Sequence, residues 1–242
     1  MLLRYISYID TPYLFIQLIS IFIVTGGISL LVCITVHEFS HAVVAEKFGD
    51  STPRRQGRIS LNPIAHLDPI GTAMLFLVGL GWGKPVMVND QSFGRNSAKK
   101  MALVALAGPL SNIATALIFS IPIQLGLVGW QADDHSPLKV LRTGFLDLED
   151  FVATFLGFLL FFNIILALFN LIPLAPLDGS KILKWLIPKR FSSQYMKLEP
   201  YGPIVLIGII GLSWFTDIHL IWEVLGPALN LFGYLLTQQP FY

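Results

Sequence analysis

Apolar and polar positions fall in long blocks along this chain. Between Thr11 and His37 there is no charge, and the apolar run from Tyr13 to Val36 continues as a helical pattern to Phe48. About 20 apolar residues in a helix are enough to cross a bilayer, so this block predicts a span, stopped at Gly49 and the Ser51-Thr52-Pro53 that follows. Two further blocks, from about Lys99 to Val128 and from Phe151 to Leu171, predict two more spans. Pro203 to Phe215 is short and Ile218 to Leu236 is long enough to cross; a hairpin and one broken span suit this pair equally. Ile70 to Trp82 is apolar but only 13 residues long, with Gly71, Gly79 and Gly81. It is too short to span and predicts a re-entrant or partly buried piece. On either side of it, Arg58 to Leu61 and Pro85 to Asn89 read as short strands. Paired, they make a small sheet near the membrane surface, either a plain structural hairpin or an edge for an extended peptide. The fold class expected is an all-α polytopic membrane protein, with about four to six membrane segments and a small re-entrant β-hairpin or sheet.

Composition supports that class. Hydrophobic residues make up 54% of the 242, and charged residues 13%, against about 25% in soluble domains. The formal net charge of +1 gives no reason to expect a nucleic-acid partner. The one cysteine, Cys33, excludes an internal disulfide; one turn before His37, it suits a small buried apolar role better than a place in a polar site. No cleavable signal peptide is apparent in the Met1–Thr11 lead. The length leaves little room for a separate soluble domain, so one integral-membrane domain is expected over 1–242, with a core at 13–190 and C-terminal segments at 203–236.

Charge placement orients the chain. The polar stretches 47–58, 84–100 and 181–197 carry 13 of the 16 Lys and Arg residues, while the N-terminal lead and the 129–150 loop carry 3. By the positive-inside rule the N-terminus lies outside and the basic stretches lie in the cytoplasm.

The polar residues inside the blocks are few and patterned. His37-Glu38-Phe39-Ser40-His41 is H-E-x-x-H at the end of the first span. On a helix, residues four apart share a face, so both imidazoles can address one metal ion with Glu38 beside it, as in a zinc peptidase. Ionisable groups at membrane depth are costly unless they work or pair. The third block ends in Asn170-Leu171-Ile172-Pro173-Leu174-Ala175-Pro176-Leu177-Asp178-Gly179. Its prolines break the helix, which implies a cavity around the irregular backbone. Asp178 can complete a three-ligand site with the fourth position open, or start the next helix, Ser180 to Leu186, or do both. The inner ends of the first and third spans fall on the same side of the membrane, which allows the two parts of such a site to meet. Asn112, in Ala107-Gly108-Pro109-Leu110-Ser111-Asn112, is a polar group that must face protein or water. His66 and Asp68 suit turn roles better than support of a metal site. A transporter or ion pathway would use the same polar residues, although no internal repeat supports an inverted-repeat carrier.

The three ordered motifs resemble the site-2 protease family of intramembrane zinc metalloproteases, over roughly residues 13 to 190. Asn62-Pro63 and Asp68-Pro69-Ile70-Gly71 also fit the family's pattern. The resemblance implies a three-helix catalytic core, one zinc ion per chain held by His37, His41 and Asp178, and Glu38 as catalytic base. It implies that Asn170 holds the substrate or the transition-state oxygen; Asn112, a neutral donor, is a second candidate for that role. The chain resembles the minimal members, without an inserted PDZ or an appended CBS domain. The expected partners are a lipid bilayer and a single-pass transmembrane protein or membrane peptide as substrate, cleaved near the cytoplasmic side. The expected location is a bacterial cytoplasmic membrane.

Overall fold

The computed structural model describes residues 12–71, 83–129, 148–216, 220–239 and 241. Most of the expected re-entrant piece and most of the 129–150 loop lie outside the described residues.

The first apolar block is one long helical stretch. Helix α1 (Pro12–Ile21) passes through a single π-helical turn at Phe22–Gly26 into α2 (Gly27–Lys47). It stops where the sequence places the stop: Gly49 adopts φ +101°, a left-handed conformation that costs a glycine little. A short helix α3 (Thr52–Arg55) follows. The second block forms α4 (Ser97–Gln124), which runs unbroken through Pro109 and Pro122. The third forms α5 (Leu148–Asn170). Helices α6 (Asp178–Leu186) and α7 (Lys189–Leu198) lie between it and the C-terminal pair, α8 (Gly202–Phe215) and α9 (Leu220–Thr237). Among the described residues, four helices are long and apolar enough to cross a membrane: Ile19–Lys47, α4, α5 and α9.

Helices α2, α4 and α5 pack against one another in all three pairs, and α6 lies on α4. Where α4 and α5 meet, Ala116, Leu156, Leu160 and Ile164 form a buried apolar cluster that Leu229 and Leu236 of α9 join. Many apolar side chains on the outer faces, Ile118, Leu117 and Ile207 among them, remain exposed. In water such a surface would aggregate; facing lipid, it is in its proper solvent. The protein is therefore an integral, multi-pass membrane protein.

The expected sheet is not seen. Among the described residues there is no strand, only an isolated antiparallel bridge between Leu67 and Gly83. The reason lies in where the backbone donors go. The N–H of Arg58 reaches Pro53 O, 2.9 Å away. In the second stretch Pro85 has no N–H, Val86 N–H donates to the Glu38 carboxylate at 3.0 Å, and Asn89 N–H donates to the Asp50 carboxylate at 2.7 Å. Side chains of and just beyond α2 take the donors that a ladder would need. The two stretches are still tied together, because the Arg58 guanidinium donates to Ala65 O and Lys84 O.

Candidate metal centre

The centre is built at the meeting of α2, α4 and α6. One turn of α2 stacks His37 over His41, with ring centroids 4.6 Å apart and planes nearly perpendicular. Asp178 is the first residue of α6 and is buried there. A Cβ at residue 179 would lie 2.6 Å from the Ile172 carbonyl carbon, so only glycine lets the start of α6 settle against the turn that ends α5. This close fit carries Asp178, 137 residues from His41 in sequence, to the imidazole pair. Its Oδ2 lies 3.2 Å from His37 Nε2 and 3.0 Å from His41 Nε2. One donor atom from each of the three residues falls within a 4.8 Å cluster, and all three residues are buried.

The chemistry of these contacts fits a cation. His41 Nδ1 lies 2.7 Å from Val104 O, a carbonyl that can only accept, so Nδ1 carries the proton. The neutral ring then aims its Nε2 lone pair at a carboxylate oxygen. His37 Nδ1 lies 2.6 Å from Asn112 Oδ1. The amide of Asn112 is pinned in this sense because its Nδ2 donates to Cys33 O at 3.0 Å and to Asn163 Oδ1 at 2.8 Å. His37 is thereby left with its Nε2 lone pair pointing inward as well. Three lone-pair donors facing one another repel unless a positive charge sits among them. Tetrahedral zinc with bonds of about 2.0–2.2 Å separates neighbouring ligand atoms by about 3.3 Å, close to the two contacts Asp178 makes. Zinc-bound histidines ordinarily give their other N–H to a carbonyl, an amide or a carboxylate, as both do here.

Other groups surround this cluster. Glu38 stands beside it on α2, with Oε2 accepting from Val86 N–H. The second oxygen of Asp178 is paired with Lys181 Nζ at 3.2 Å. Gly108 closes one side, since a Cβ there would fall 2.7 Å from His37 Cε1 and 2.5 Å from His41 Cε1.

Of the residues singled out in the sequence, His37, His41 and Asp178 are brought together with Glu38 alongside. Asn112 is fully buried behind His37, with its polar atoms engaged inside the helix trio. Asn170 ends α5 and donates to Leu166 O one turn back, at 3.0 Å. Cys33 is buried beside Asn112, with Sγ 3.2 Å from Phe162 O, and is not part of the donor cluster. His66 is buried under the 58–66 loop, with Nε2 2.7 Å from Ser60 O, and Asp68 caps the turn at Gly71. Sequence reasoning missed Asn163 and Val104. A lone asparagine among apolar residues of a span is a signal that could have found Asn163; a backbone carbonyl leaves none.

Four candidate spans among the described residues and a buried His–His–Asp cluster where α2, α4 and α6 meet define the class: an integral membrane metalloprotein with the ligand set of a hydrolytic zinc site. Comparison with known proteins makes this specific. Residues 25–207 match the model of peptidase family M50, and the chain belongs to that family, the site-2 protease family of zinc metalloproteases. It is 39% identical over 181 residues to a Bacillus subtilis protein provisionally named zinc metalloprotease YwhC, covering 74% of this chain and 77% of that one. It is 27% identical over 205 residues to the Mycobacterium tuberculosis protein provisionally named zinc metalloprotease Rip2, covering 83% of this chain and 66% of the relative. A Methanocaldococcus jannaschii protein with a similar provisional name, MJ0611, is 29% identical over 152 residues, 62% of this chain and 63% of the relative. No solved structure matches the chain with significance.

Proposed function

We propose that this protein is an intramembrane endopeptidase that cleaves transmembrane segments of single-pass proteins or membrane peptides near the cytoplasmic face. The observation that carries the reading is the convergence of His37, His41 and Asp178 on one point beside Glu38, within the helix trio. His37 lies ten residues before Lys47, about 15 Å along α2 from its charged end. A peptide bond cut at that depth belongs to a segment that was itself in the membrane. The Lys and Arg distribution supports the cytoplasmic placement of that end.

In this reading His37, His41 and Asp178 hold zinc, which supplies Lewis acidity to a carbonyl and to water when bound. Glu38 takes a proton from the attacking water and passes it to the amide nitrogen as the C–N bond breaks. The products are a carboxylate and an amine. Val86 N–H holds the Glu38 carboxylate in place, and Lys181 holds the second oxygen of Asp178. Asn170, at the mouth of the irregular 171–177 backbone, is assigned to the substrate. A transmembrane helix hides its carbonyls, so the substrate unwinds before attack.

The test uses the full chain in nanodiscs with a model single-pass substrate. Zinc near one per chain and cleavage that stops on chelation support the peptidase. Zinc-independent flux into liposomes with no cleavage would replace it with a carrier.

A further inference from the structure

A buried polar chain runs across all three core helices. His37 on α2 meets Asn112 on α4, Asn112 Nδ2 meets Asn163 Oδ1 on α5 at 2.8 Å, and Asn163 Nδ2 donates to Leu159 O at 2.8 Å. Asn112 and Asn163 are both fully buried. Polar side chains in the apolar interior of a membrane bundle are costly unless every group is satisfied. Here each group in the chain fixes the orientation of the next. Leu159 O can only accept, so it sets the Asn163 amide. Asn163 Oδ1 and Cys33 O together set the Asn112 amide, whose oxygen then faces His37.

We infer that Asn163 is a positioning residue of the metal centre, acting through Asn112 to hold His37 with its proton on Nδ1 and its Nε2 lone pair free for the metal. Turning the Asn112 amide over would place its oxygen against two acceptors and its NH2 against His37 Nδ1. That would favour the opposite tautomer, whose Nε2–H cannot bind zinc. Asn163 lies on the helix behind Asn112 and hydrogen-bonds Asn112 and Leu159 O rather than a metal ligand, so it is not a catalytic residue. The inference rests on the zinc-peptidase reading and adds the third helix to what sets zinc affinity.

Two substitutions separate this role from simple packing. Asn163→Leu keeps the side-chain volume and removes the hydrogen bonds. Asn163→Asp, neutral among apolar groups, keeps an acceptor for Asn112 and a donor for Leu159 O. The readouts are zinc affinity, by chelator competition, and the His37 tautomer in metal-free, 15N-histidine-labelled full chain, measured by long-range 15N–1H correlation at a pH where the ring is neutral. Wild type is expected to show the Nδ1–H tautomer. Asn163→Leu is expected to mix the tautomers and weaken zinc binding about tenfold, within the range for groups behind a ligand. Asn163→Asp is expected to restore both. Either of two results overturns the inference: His37 protonated on Nε2 in wild type, or a leucine variant that matches wild type in both zinc affinity and tautomer. If Asn163→Leu fails to fold, the wild-type tautomer and the aspartate variant still decide. A wild-type protein that binds no zinc sinks the peptidase reading itself. Zinc bound with unchanged affinity and tautomer in Asn163→Leu sinks this inference alone.

Discussion

Adding one methyl group at residue 108 tests the geometry of the metal centre directly. In Gly108→Ala the new Cβ would stand 2.7 Å from His37 Cε1 and 2.5 Å from His41 Cε1. Carbon atoms in contact settle at about 3.5–4.0 Å. The two rings must therefore retreat by about 1 Å, or α4 must move away from α2 by as much. Metal–ligand distances tolerate only about 0.2 Å. Neither ring can give way alone, since His37 is tied to Asn112 and His41 to Val104 O. Loss of support behind one ligand costs 10–100-fold in metal affinity; displacing two ligands together should cost at least about 100-fold. The assay is zinc stoichiometry and chelator competition on protein purified in detergent. Gly208→Ala is the control, a glycine of α8 with nothing within 4 Å of the added carbon. Wild-type zinc affinity in Gly108→Ala, with the control also unchanged, would show that the rings do not sit against α4 as described.

Three further outcomes follow from the same contacts. Glu38→Gln should keep zinc, since Glu38 is outside the ligand cluster, and lose cleavage by about 10²–10⁴-fold, the usual worth of a general base; retained activity in a peptide-cleavage assay would remove Glu38 from the role. Asp178→Ala should leave only two ligands and lower the zinc content measured by elemental analysis; unchanged stoichiometry would exclude Asp178 as a ligand. Asp50, fully buried just beyond α2, is pushed up by burial, but the hydrogen bonds from Thr52 and Asn89 outweigh this and hold its carboxyl below the usual range. Its folded-state pKa is thus lower than its unfolded value of about 3.9, so its contribution to stability is complete above that value and is lost as pH falls through the folded one. Thermal unfolding in detergent should show this acid loss in wild type, and Asp50→Asn should flatten it while destabilising the protein at neutral pH by about 1–3 kcal/mol.

The parts of this protein that were legible in its sequence are those whose signal is local. The spans announce themselves by length and lack of charge, and His37 and His41 by a spacing that any helix converts into a shared face. Asp178 was legible through its setting, a carboxylate after two prolines at a span's end, although only tertiary packing at Gly179 brings it to the imidazoles. What the sequence did not carry is partner choice. Val86 and Asn89 lie in a stretch that reads as a strand, but their N–H groups are taken by Glu38 and Asp50, 48 and 39 residues earlier. Asn112 is visibly a polar residue needing a partner, but nothing local says that the partner is a metal-facing histidine rather than a substrate. Helix α7 lies in what reads only as a basic stretch, because its pattern is amphipathic and short.

The contact between Val86 and Glu38 also bears on how an extended substrate reaches the centre. A carboxylate has about four acceptor positions, so a single backbone N–H fixes the side chain and leaves room for a water on the other oxygen. In the proposed peptidase, the stretch that supplies this N–H is one candidate edge for an unwound peptide. Lys84 N–H donates to His66 O, Val86 N–H to Glu38 and Asn89 N–H to Asp50, while Pro85 has none to give. On the donor side, a ladder to an incoming peptide is therefore confined to Met87 and Val88 N–H unless one of those donors is released. If Val86 is released, Glu38 loses its tether as the substrate arrives; if it is not, the peptide is held by few main-chain bonds and its side chains must supply most of the binding. Under the proposed mechanism, the first case couples substrate docking to the position of Glu38 through one residue of backbone, and the second leaves them independent.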